Sequence, residues 1–579
     1  MNSQAPGRYD NGIPRLPSAR DDEIVFETME EFSQLQIWRN TFASHWEEVA
    51  ELVLPTSRNT FFYGNFNWPG LKKTDRQIDA TGMMALHRFG AICDSLLTPR
   101  NMYWHQLEAN NEYVMKDRDS RLWFERVTRL LFAYRYDPMG NFSAQNQNNY
   151  QSLGAFGTGA MFVDNFDGAP GLRYKAIPLG ELFIKENHQG LIDGFIRWYR
   201  LTARQVKQAF PDTFPELLQV ALDSYSPQPF DILHRVCPRS DWEPGRLDSK
   251  GKRWASYQVC IQSRSLLSEG GYNTFPIAAS RYDQTPGEIY GRSPAMMVLP
   301  ALKTLNAEKR TFLKQGHRVS DPVLLTADDG ILDLSLRPGA INKGGVSPDG
   351  RLLVQALPTG AIQITKEMMD EERSLINDAF LVSLFQILTE TPQMTATEVI
   401  ERTNEKGILL APTVGRQQSE YLGPLIDREL DLLARQGLLP PMPPRLKEAG
   451  GEYSVQYTSP LARAMKAQEA AGFMRTVEIV TNVVNASQDP SLLDMFDFEV
   501  ALPAIADINA VPVSWMAAPD QVQAKKQARA AALQKQQQIQ EAPAKAAMMK
   551  AQAVQAKAGI QQPVQPGVAP VSGIPLQGA

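Results

Sequence analysis

The chain has 579 residues, of which 43% are hydrophobic and 21% are charged. This is ordinary globular usage, and the length exceeds what one hydrophobic core usually supports, so we expect several structural regions. Lys and Arg number 59 against 64 Asp and Glu, a formal net charge of -5. That balance lacks the basic surplus of proteins that hold nucleic acid by its phosphates, so any DNA contact should be weak or local.

Cysteine usage and hydropathy indicate the kind of compartment in which the protein is expected. Cys93, Cys237 and Cys260 have spacings that suit neither a zinc site nor a disulfide framework, which indicates a reducing compartment. No stretch approaches the roughly 18 apolar residues of a membrane span, and the first residues contain no apolar signal-peptide core. We therefore expect neither a membrane protein nor secretion through a signal peptide.

The N-terminal part predicts a loose arm followed by helices. Residues 1–25 are rich in Pro, Gly, Asn and Arg without an apolar period, which predicts a flexible arm. A helix is predicted over 26–54, because apolar residues recur there every three or four positions. These residues are Phe32, Leu35, Trp38, Phe42, Trp46, Val49 and Val53. Further helices are predicted over 80–97 and 119–136. The second is capped by Asp119 and has an apolar face around Leu122, Arg126, Arg129 and Ala133.

The middle of the chain predicts short strands and then two long helices. Residues 153–290 contain alternating apolar runs between Gly, Pro and Asn, which predict a mixed region of strands and helices. A cap serine and a first-turn proline open a helix over 293–318, with an early kink at Pro300. Residues 321–357 return to strand and turn signals before a second helix over 363–388. Two long helices therefore bracket a small β-rich insertion.

The second long helix is apolar on more than one stripe, which implies burial against more than one neighbour. Its apolar residues are Leu375, Ile376, Ala379, Phe380, Leu384, Ile387 and Leu388. Beyond it, residues 395–398 have the form of a capping box, and helical patterns follow over 415–436 and 461–486. After Trp515 the sequence is low in complexity; its first half is compatible with a helix and its end is expected to be disordered.

Candidates for chemistry are few, and a structural explanation is favoured for each. The stretches WPGLKKT (68–74) and GAFGTGA (154–160) lack the glycine spacing of a phosphate-binding loop. A basic surface loop is favoured for the first, and a tight turn or close backbone packing for the second. Ser293 lies in GRSPA, where the proline favours a helix cap over a nucleophile. His234 and Cys237 are close in sequence, but no second pair of possible ligands accompanies them as in a metal site. We therefore expect no catalytic, cofactor-binding or metal site.

Five stretches of the chain carry a family resemblance. They are WRNTFASHWEEVAELVLPTS (38–57), IDATGMMALHRFGAICDSLLTPRNMYWHQLE (78–108), GEIYGRSPAMMVLPALKTLN (287–306), TETPQMTATEVIERTNEKGILLAPTVGRQQSEYLGPLIDREL (389–430) and GLLPPMP (437–443). In this order they resemble the head-to-tail connecting (portal) protein family of short-tailed bacteriophages. Together they frame most of residues 30–515.

The resemblance implies a mixed α+β, helix-dominated portal fold with wing, stem, clip and crown regions around an axial channel, assembled as a ring of twelve. The implied regions are a flexible arm (1–25), a wing region (26–292), a first stem helix (293–318), a clip (319–362), a second stem helix (363–388), a channel loop (389–394), wing and crown helices (395–515) and a low-complexity tail (516–579). The DNA-facing channel loop would consist of Thr389, Glu390, Thr391, Pro392, Gln393 and Met394, and the stem-packing residues would be Leu375, Ile376, Phe380 and Leu384.

The same resemblance implies a function without enzymatic activity or cofactor. Such a ring forms the DNA channel at one capsid vertex for genome packaging and ejection, and a docking platform for other proteins. The implied partners are further copies of the chain, double-stranded DNA passing without sequence specificity, the terminase motor, scaffolding and major capsid proteins, and tail adaptors. The implied location is the portal vertex of the virion, after assembly in the host cytoplasm. Two alternatives remain open: another virion ring protein, such as a tail adaptor or capsid protein, and a serine hydrolase built around Ser293.

Overall fold

Helices and strands alternate along the chain, and helices predominate. The helices are α1 (Ala19–Leu52), α2 (Thr81–Leu97), α3 (Glu112–Lys116), α4 (Arg118–Arg135), α5 (Phe142–Phe156), α6 (Ala203–Ala209), α7 (Glu216–Asp223), α8 (Pro294–Met297), α9 (Leu299–Ser320), α10 (Ile362–Ala379), α11 (Gly423–Arg435), α12 (Pro444–Glu448), α13 (Phe498–Ile508) and α14 (Pro519–Ala558). The strands are β1 (His105–Ala109), β2 (Thr158–Asn165), β3 (Leu172–Ala176), β4 (Leu182–Glu186), β5 (Ile192–Thr202), β6 (Pro229–Pro238), β7 (Trp254–Cys260), β8 (Ser265–Tyr272), β9 (Ile277–Arg281), β10 (Leu324–Thr326), β11 (Val354–Ala356) and β12 (Tyr453–Tyr457).

The computed structural model describes most of the chain. The described residues are 19–62, 70–166, 168–326, 334–343, 345–358, 362–383, 411–458, 472–484, 496–508, 511, 515–517 and 519–558. They divide into two units, Met1–Val511 and Pro512–Ala579, and the second contains α14. The predicted capping box at 395–398 lies outside the described residues, whereas residues 411–416 and 472–484 are helical.

The alternating apolar runs of the middle region form two antiparallel sheets. One sheet has the order β4-β5-β6-β7-β8 and the other the order β3-β2-β9. Helix α1 covers one face of the larger sheet, where Phe32 and Leu35 pack against Phe183, Ile196 and Leu233. The opposite face is also covered, because Phe195 and Val236 belong to another buried cluster and Ile232 packs with Val206 and Leu218. Buried residues are therefore consecutive in the middle of β5. The mixed strand and helix region predicted over 153–290 is therefore confirmed.

Helix α1 begins earlier than its sequence predicts and is buried along a slightly different stripe. It starts at Ala19, inside the expected arm, so that boundary is corrected. Leu35 and Trp46 are buried as expected, but Trp38 is 68% exposed. The reason is helical phase, because Arg39 and not Trp38 lies four residues after Leu35 on the inward face. A charged residue there takes the core position that the apolar pattern assigned to tryptophan.

Arg39 is held in the core by backbone carbonyls. Its guanidinium donates to the carbonyl oxygens of Phe61 at 2.7 Å and Leu182 at 2.8 Å, and also to those of Leu179 and Gly180. Its Cζ lies 3.7 Å from the centre of the Phe183 ring. Burial lowers the pKa of Arg39 to about 10. Four carbonyl dipoles and an aromatic face thus replace the water that the charge has lost.

Helix α4 is confirmed, with a different cap and a different buried face. The cap is Asp117 and not Asp119, since a carboxylate oxygen of Asp117 accepts from the backbone N–H of Ser120 at 3.1 Å. Phe124, Val127 and Leu131 are buried, whereas the expected apolar face, which was placed around Leu122, Arg126, Arg129 and Ala133, contains exposed residues. Capping from two residues earlier explains the start of the helix at 118.

The two long helices of the middle region also depart from the predicted pattern at one end. Pro294 opens α8, which ends before Pro300, so the predicted early kink is confirmed. Helix α10 ends at Ala379 and does not run to 388; Leu381 has a left-handed φ of 62°. Phe380 and Val382 are both buried, and residues two apart on a continuous helix point in nearly opposite directions. The break allows both side chains to reach the core.

A buried ion pair joins parts of the chain that are far apart in sequence. Arg135 on α4 and Glu429 on α11 are both fully buried, and the Arg135 Nε lies 2.9 Å from Glu429 Oε1. Tyr174 donates its hydroxyl to the same carboxylate at 2.7 Å. Another guanidinium nitrogen of Arg135 donates to His105 Nε2 at 2.9 Å. Burial is the larger cause, and the positive charge of Arg135 the smaller one, that holds the pKa of His105 well below its usual range. Burial alone would lower the pKa of Arg135, but Glu429 offsets this and raises it.

Replacing Glu429 by Gln should lower the free energy of unfolding by about 3–5 kcal/mol, because Arg135 would remain buried without a counter-charge. Urea unfolding followed by tryptophan fluorescence measures the change. Glu448→Gln on α12 is the matched control, since Glu448 is exposed and its loss should change stability by less than about 0.5 kcal/mol. Equal effects of the two substitutions would show that the ion pair does not stabilise the fold.

Candidate functional site: two helices and the insertion between them

Helices α9 and α10 form a packed pair with a β-rich insertion between them in sequence. We call α9 and α10 the helix pair and residues 321–358 the insertion. Within the insertion, β10 and β11 pair antiparallel from Leu324 opposite Ala356 to Thr326 opposite Val354. The succession of helix, insertion and helix agrees with the element order that the sequence predicts.

The helix pair is fastened to the segment before α2 by polar contacts. Arg373 donates to Asp79 at 2.9 Å and to Asp370 at 2.8 Å. The hydrogen bond to Asp79 raises the pKa of Arg373. On α9, Asn306 accepts from the backbone N–H of Ile78 at 2.8 Å. One short segment, 78–79, therefore contacts both helices and sets their relative position.

The residues expected to pack the second helix have different surroundings. Ile376 and Phe380 are fully buried within their own chain, and the Phe380 ring lies edge-on to Phe89 with centroids 6.2 Å apart. Leu375 is 52% exposed. Leu384 and the channel-loop residues 389–394 lie outside the described residues. Phe380 thus has a packing role inside the chain. Among the three described residues of this set, Leu375 is the one available to a neighbour.

Two carboxylates face each other across the helix pair, a feature that the sequence patterns did not reveal. Glu308 on α9 and Glu372 on α10 each have one buried Oε2 atom without a hydrogen-bond partner among the described residues. Burial, and then the charge of Glu372, raise the pKa of Glu308. Neither glutamate stands out in the sequence pattern of its own helix. The two carboxylates are brought together only by the packing of α9 against α10.

Large apolar side chains are exposed on the insertion and on both helices. They are Leu313, Val319, Val323, Leu325, Leu336, Ile341, Val346, Leu352, Leu353, Leu357, Met368 and Leu375. These are twelve side chains among the described residues from 313 to 375, more than isolated exposed apolar residues would give. Extended apolar surface is typical of regions that contact another protein.

The two glycine-containing motifs of the sequence meet at a backbone crossing. A β-carbon on Gly157 would collide with the carbonyl oxygen of Gly291, and one on Gly291 with that of Gly157. The backbone N–H of Gly291 donates to Thr158 Oγ1 at 3.0 Å. Gly157 also has a left-handed φ of 77°. The close-packing explanation of GAFGTGA is therefore confirmed.

Ser293, next to this crossing, is a buried helix cap. Its hydroxyl donates to the carbonyl oxygen of Ala155 at 2.8 Å and accepts from the backbone N–H of Met296 at 3.0 Å. No solvent-accessible surface remains on the residue. The predicted cap is confirmed, and the hydroxyl is engaged on both sides, so the geometry gives no support to a serine hydrolase centred here.

His234, which the sequence pairs with Cys237, is packed in the core. His234 is buried between Phe162 and Phe195, and its Nε2 lies 2.9 Å from Ser256 Oγ. Burial, and then the charge of Arg197, lower the pKa of His234 to about 3. Among the residues that the structure describes, no three His, Cys, Asp or Glu side chains are grouped as metal ligands, and no helix has the length and hydropathy of a membrane span.

Comparison with known proteins identifies the family. Residues 27–517 match the family described as bacteriophage head to tail connecting protein, so the chain belongs to that family. It is a head-to-tail connector, as the five sequence stretches indicated. The chain is 28% identical over 516 residues to the portal protein of Salmonella phage epsilon15, covering 87% of this chain and 90% of that protein. It is 27% identical over 498 residues to a probable portal protein of Bordetella phage BPP-1, covering 83% and 86%.

A search of solved structures adds a distant likeness. The neck of an empty gene transfer agent (GTA) particle, computed with C6 symmetry, includes a chain with a TM-score of 0.34 and 12% identity. The match covers 69% of this chain and 85% of that chain.

Replacing Glu308 by Gln should raise the thermal unfolding midpoint at pH 7. Because the folded-state pKa of Glu308 is raised, its stabilising contribution is present below the ordinary carboxyl pKa and is lost as the pH rises through the raised value. Glutamine does not ionise, so the variant avoids this loss of stability at pH 7. Near about pH 4 the wild-type glutamate is protonated as well, and the difference in unfolding midpoint should vanish. Differential scanning fluorimetry at both pH values measures it, with exposed Glu371→Gln as control. A gain of the same size at both pH values would contradict the repulsion.

Proposed function

We propose that the chain is a portal subunit. Identical copies of it would form a ring, and the ring would form the DNA channel at one capsid vertex. The observation that carries the proposal is the family match over residues 27–517. Two relatives that align over most of their length bear the names portal protein and probable portal protein, which supports the same role. The protein would act in genome packaging and ejection without chemistry of its own.

Within this proposal the regions keep the assignment implied by the family resemblance. The helix pair would be the stem, the insertion would be the clip, and residues 26–292 and 395–515 would form the wing and crown. The exposed apolar side chains of the insertion and of the helix pair support a role as surface covered in an assembly, because a closed ring buries the same patch on every copy. Twelve copies of 64.6 kDa give a ring of about 775 kDa.

The proposed partners follow from the position of such a ring. The clip would bind tail adaptors, and the ring would contact the scaffolding and major capsid proteins and the terminase motor, which supplies the energy for translocation. Double-stranded DNA would slide through the channel without sequence readout. A wall without strong positive charge holds phosphates weakly, and the net charge of -5 is compatible with that requirement. Assembly would occur in the host cytoplasm and the finished ring would lie at the portal vertex.

Another virion ring protein is the competing assignment. A tail adaptor or a capsid protein would also expose apolar surface for assembly. Electron microscopy of particles with the chain labelled near its N-terminus discriminates the two, because a portal subunit lies at one capsid vertex and an adaptor lies outside it.

Replacing Leu375 by Glu should impair ring assembly while the subunit stays folded. Leu375 is half exposed in the single chain, so a charge there is tolerated until a neighbouring copy covers it. Mass photometry should show loss of the species near about 775 kDa, and circular dichroism should be unchanged.

The adjacent Ser374→Glu is the matched control, since Ser374 is also exposed on α10. Rings formed normally by the Leu375 variant would remove this residue from the proposed interface. Phe380→Asp is a poorer test, because Phe380 is buried within its own chain and its loss would unfold the subunit.

Replacing Glu390 by Lys should slow DNA filling of capsids. Glu390 is the sole charge in the proposed channel loop, so twelve copies would form an acidic collar that repels phosphates, and lysine would make the collar attract them. The defect should shrink as salt screens the contacts. Glu390→Gln is the control and should be mild, because it removes repulsion without creating attraction. Unchanged filling with the lysine variant at low and high salt would exclude Glu390 from the channel wall.

A further inference from the structure

Positive charge is concentrated in the last part of the chain. Residues 512–579 contain seven Lys and Arg against two Asp and Glu, a net charge of +5. The preceding residues contain 52 Lys and Arg against 62 Asp and Glu, a net charge of -10. The overall value of -5 therefore hides two regions of opposite sign. A protein whose charges are separated in this way presents different surfaces to a polyanion.

Four of the seven basic residues of the second unit form a stripe on one long helix. Helix α14 has 40 residues, and all of its described side chains from position 520 onward are exposed. Since an α-helix turns about 100° per residue, Lys525, Arg529, Lys535 and Lys550 fall within a stripe about 120° wide. Lys526 and Lys545 lie outside that stripe. The stripe extends for about 37 Å along the helix axis, comparable to one turn of double-stranded DNA, which is about 34–36 Å.

Helix α14 has no apolar face that would favour a membrane or a partner helix. Its large apolar side chains are spread over about 220° of the helix circumference, more than half of it. Those described are Val522, Leu533, Met548, Met549 and Val554. Val554 lies within the basic stripe itself. A membrane-surface helix needs an apolar face opposite its basic one, and a coiled coil needs an apolar seam. The ligand that fits α14 is a long polyanion recognised by charge.

We infer that α14 binds the phosphates of double-stranded DNA without reading its sequence. This deepens the proposed portal function, on which it rests for the presence of DNA. The rest of the chain, with its net charge of -10, suits a duplex that slides, whereas a basic stripe releases counterions and retains the duplex. The chain thus contains a DNA-retaining element in addition to the weakly interacting channel of the proposed function.

Fluorescence anisotropy with the full chain and a 40-base-pair duplex of arbitrary sequence tests the inference. With four phosphates neutralised, the logarithm of the binding constant should fall with the logarithm of salt concentration with a slope of about -3.6. Affinity should then drop about 100-fold between roughly 50 and 200 mM salt. The paired substitution Lys525→Gln with Lys550→Gln should reduce the slope by about 1.8. The pair Lys526→Gln with Lys545→Gln changes the net charge equally and should have a smaller effect.

The outcomes separate this inference from the proposed function. Absence of DNA binding by the wild-type chain at low salt, or equal losses in the two paired variants, would overturn the basic stripe as the DNA site. Binding to vesicles of anionic lipid in preference to the duplex would also overturn it. Ring formation is measured in the same samples by mass photometry. Rings without stripe-dependent DNA binding would refute this inference alone, and stripe-dependent binding without rings would refute the portal assignment alone.

Discussion

The ion pair of Arg135 and Glu429 is the constraint on which the joining of α4 and α11 depends. Its partners are 294 residues apart, one on α4 and the other on α11, and both are inaccessible to water. A buried charge without its partner is strongly destabilising, so α4 and α11 must come together for either to be buried. The Trp104 ring, 4.5 Å from the Arg135 Cζ, and the Tyr174 hydroxyl complete the enclosure. Pairing of β1 with β12 joins the same two parts of the chain by backbone hydrogen bonds.

Similar buried arginines hold the other junctions of the fold. Arg281 at the end of β9 donates to Glu420 in the π-helical segment Gln417–Leu422, and it also pairs with Glu186 at the end of β4. Arg39 instead uses carbonyl oxygens around the turn that precedes β4. In each case a planar guanidinium with five donors satisfies several acceptors from separate segments, which a lysine would not do with the same geometry. The core is therefore specified by directional polar contacts as well as by apolar packing.

The predictions from sequence succeeded where local pattern determines structure. The cap at Ser293, the kink before Pro300, helix α2 and the strands of the middle region follow from capping, proline sterics and alternation, all of which are visible in a short window. The same methods assigned Trp38 to the core and missed Arg39, because an apolar period treats every charged residue as exposed. Glu308 and Glu372 were missed for a related reason, since only the packing of two separate helices brings them together. The function was implied by the family resemblance of five sequence stretches and is supported by the family match over residues 27–517. No side-chain cluster among the described residues reveals it.

The crossing of Gly157 and Gly291 has a consequence for how this sequence can vary. Each backbone fills the space in which the other would carry a side chain, and the hydroxyl of Ser293 closes the same junction against Ala155. A substitution at one glycine is not relieved by a smaller residue at the other, because glycine is already the smallest. Sequence drift can therefore remodel the exposed insertion that follows while leaving this junction unchanged. The two glycines therefore act as a fixed point beside the start of α8, whatever the insertion beyond α9 becomes.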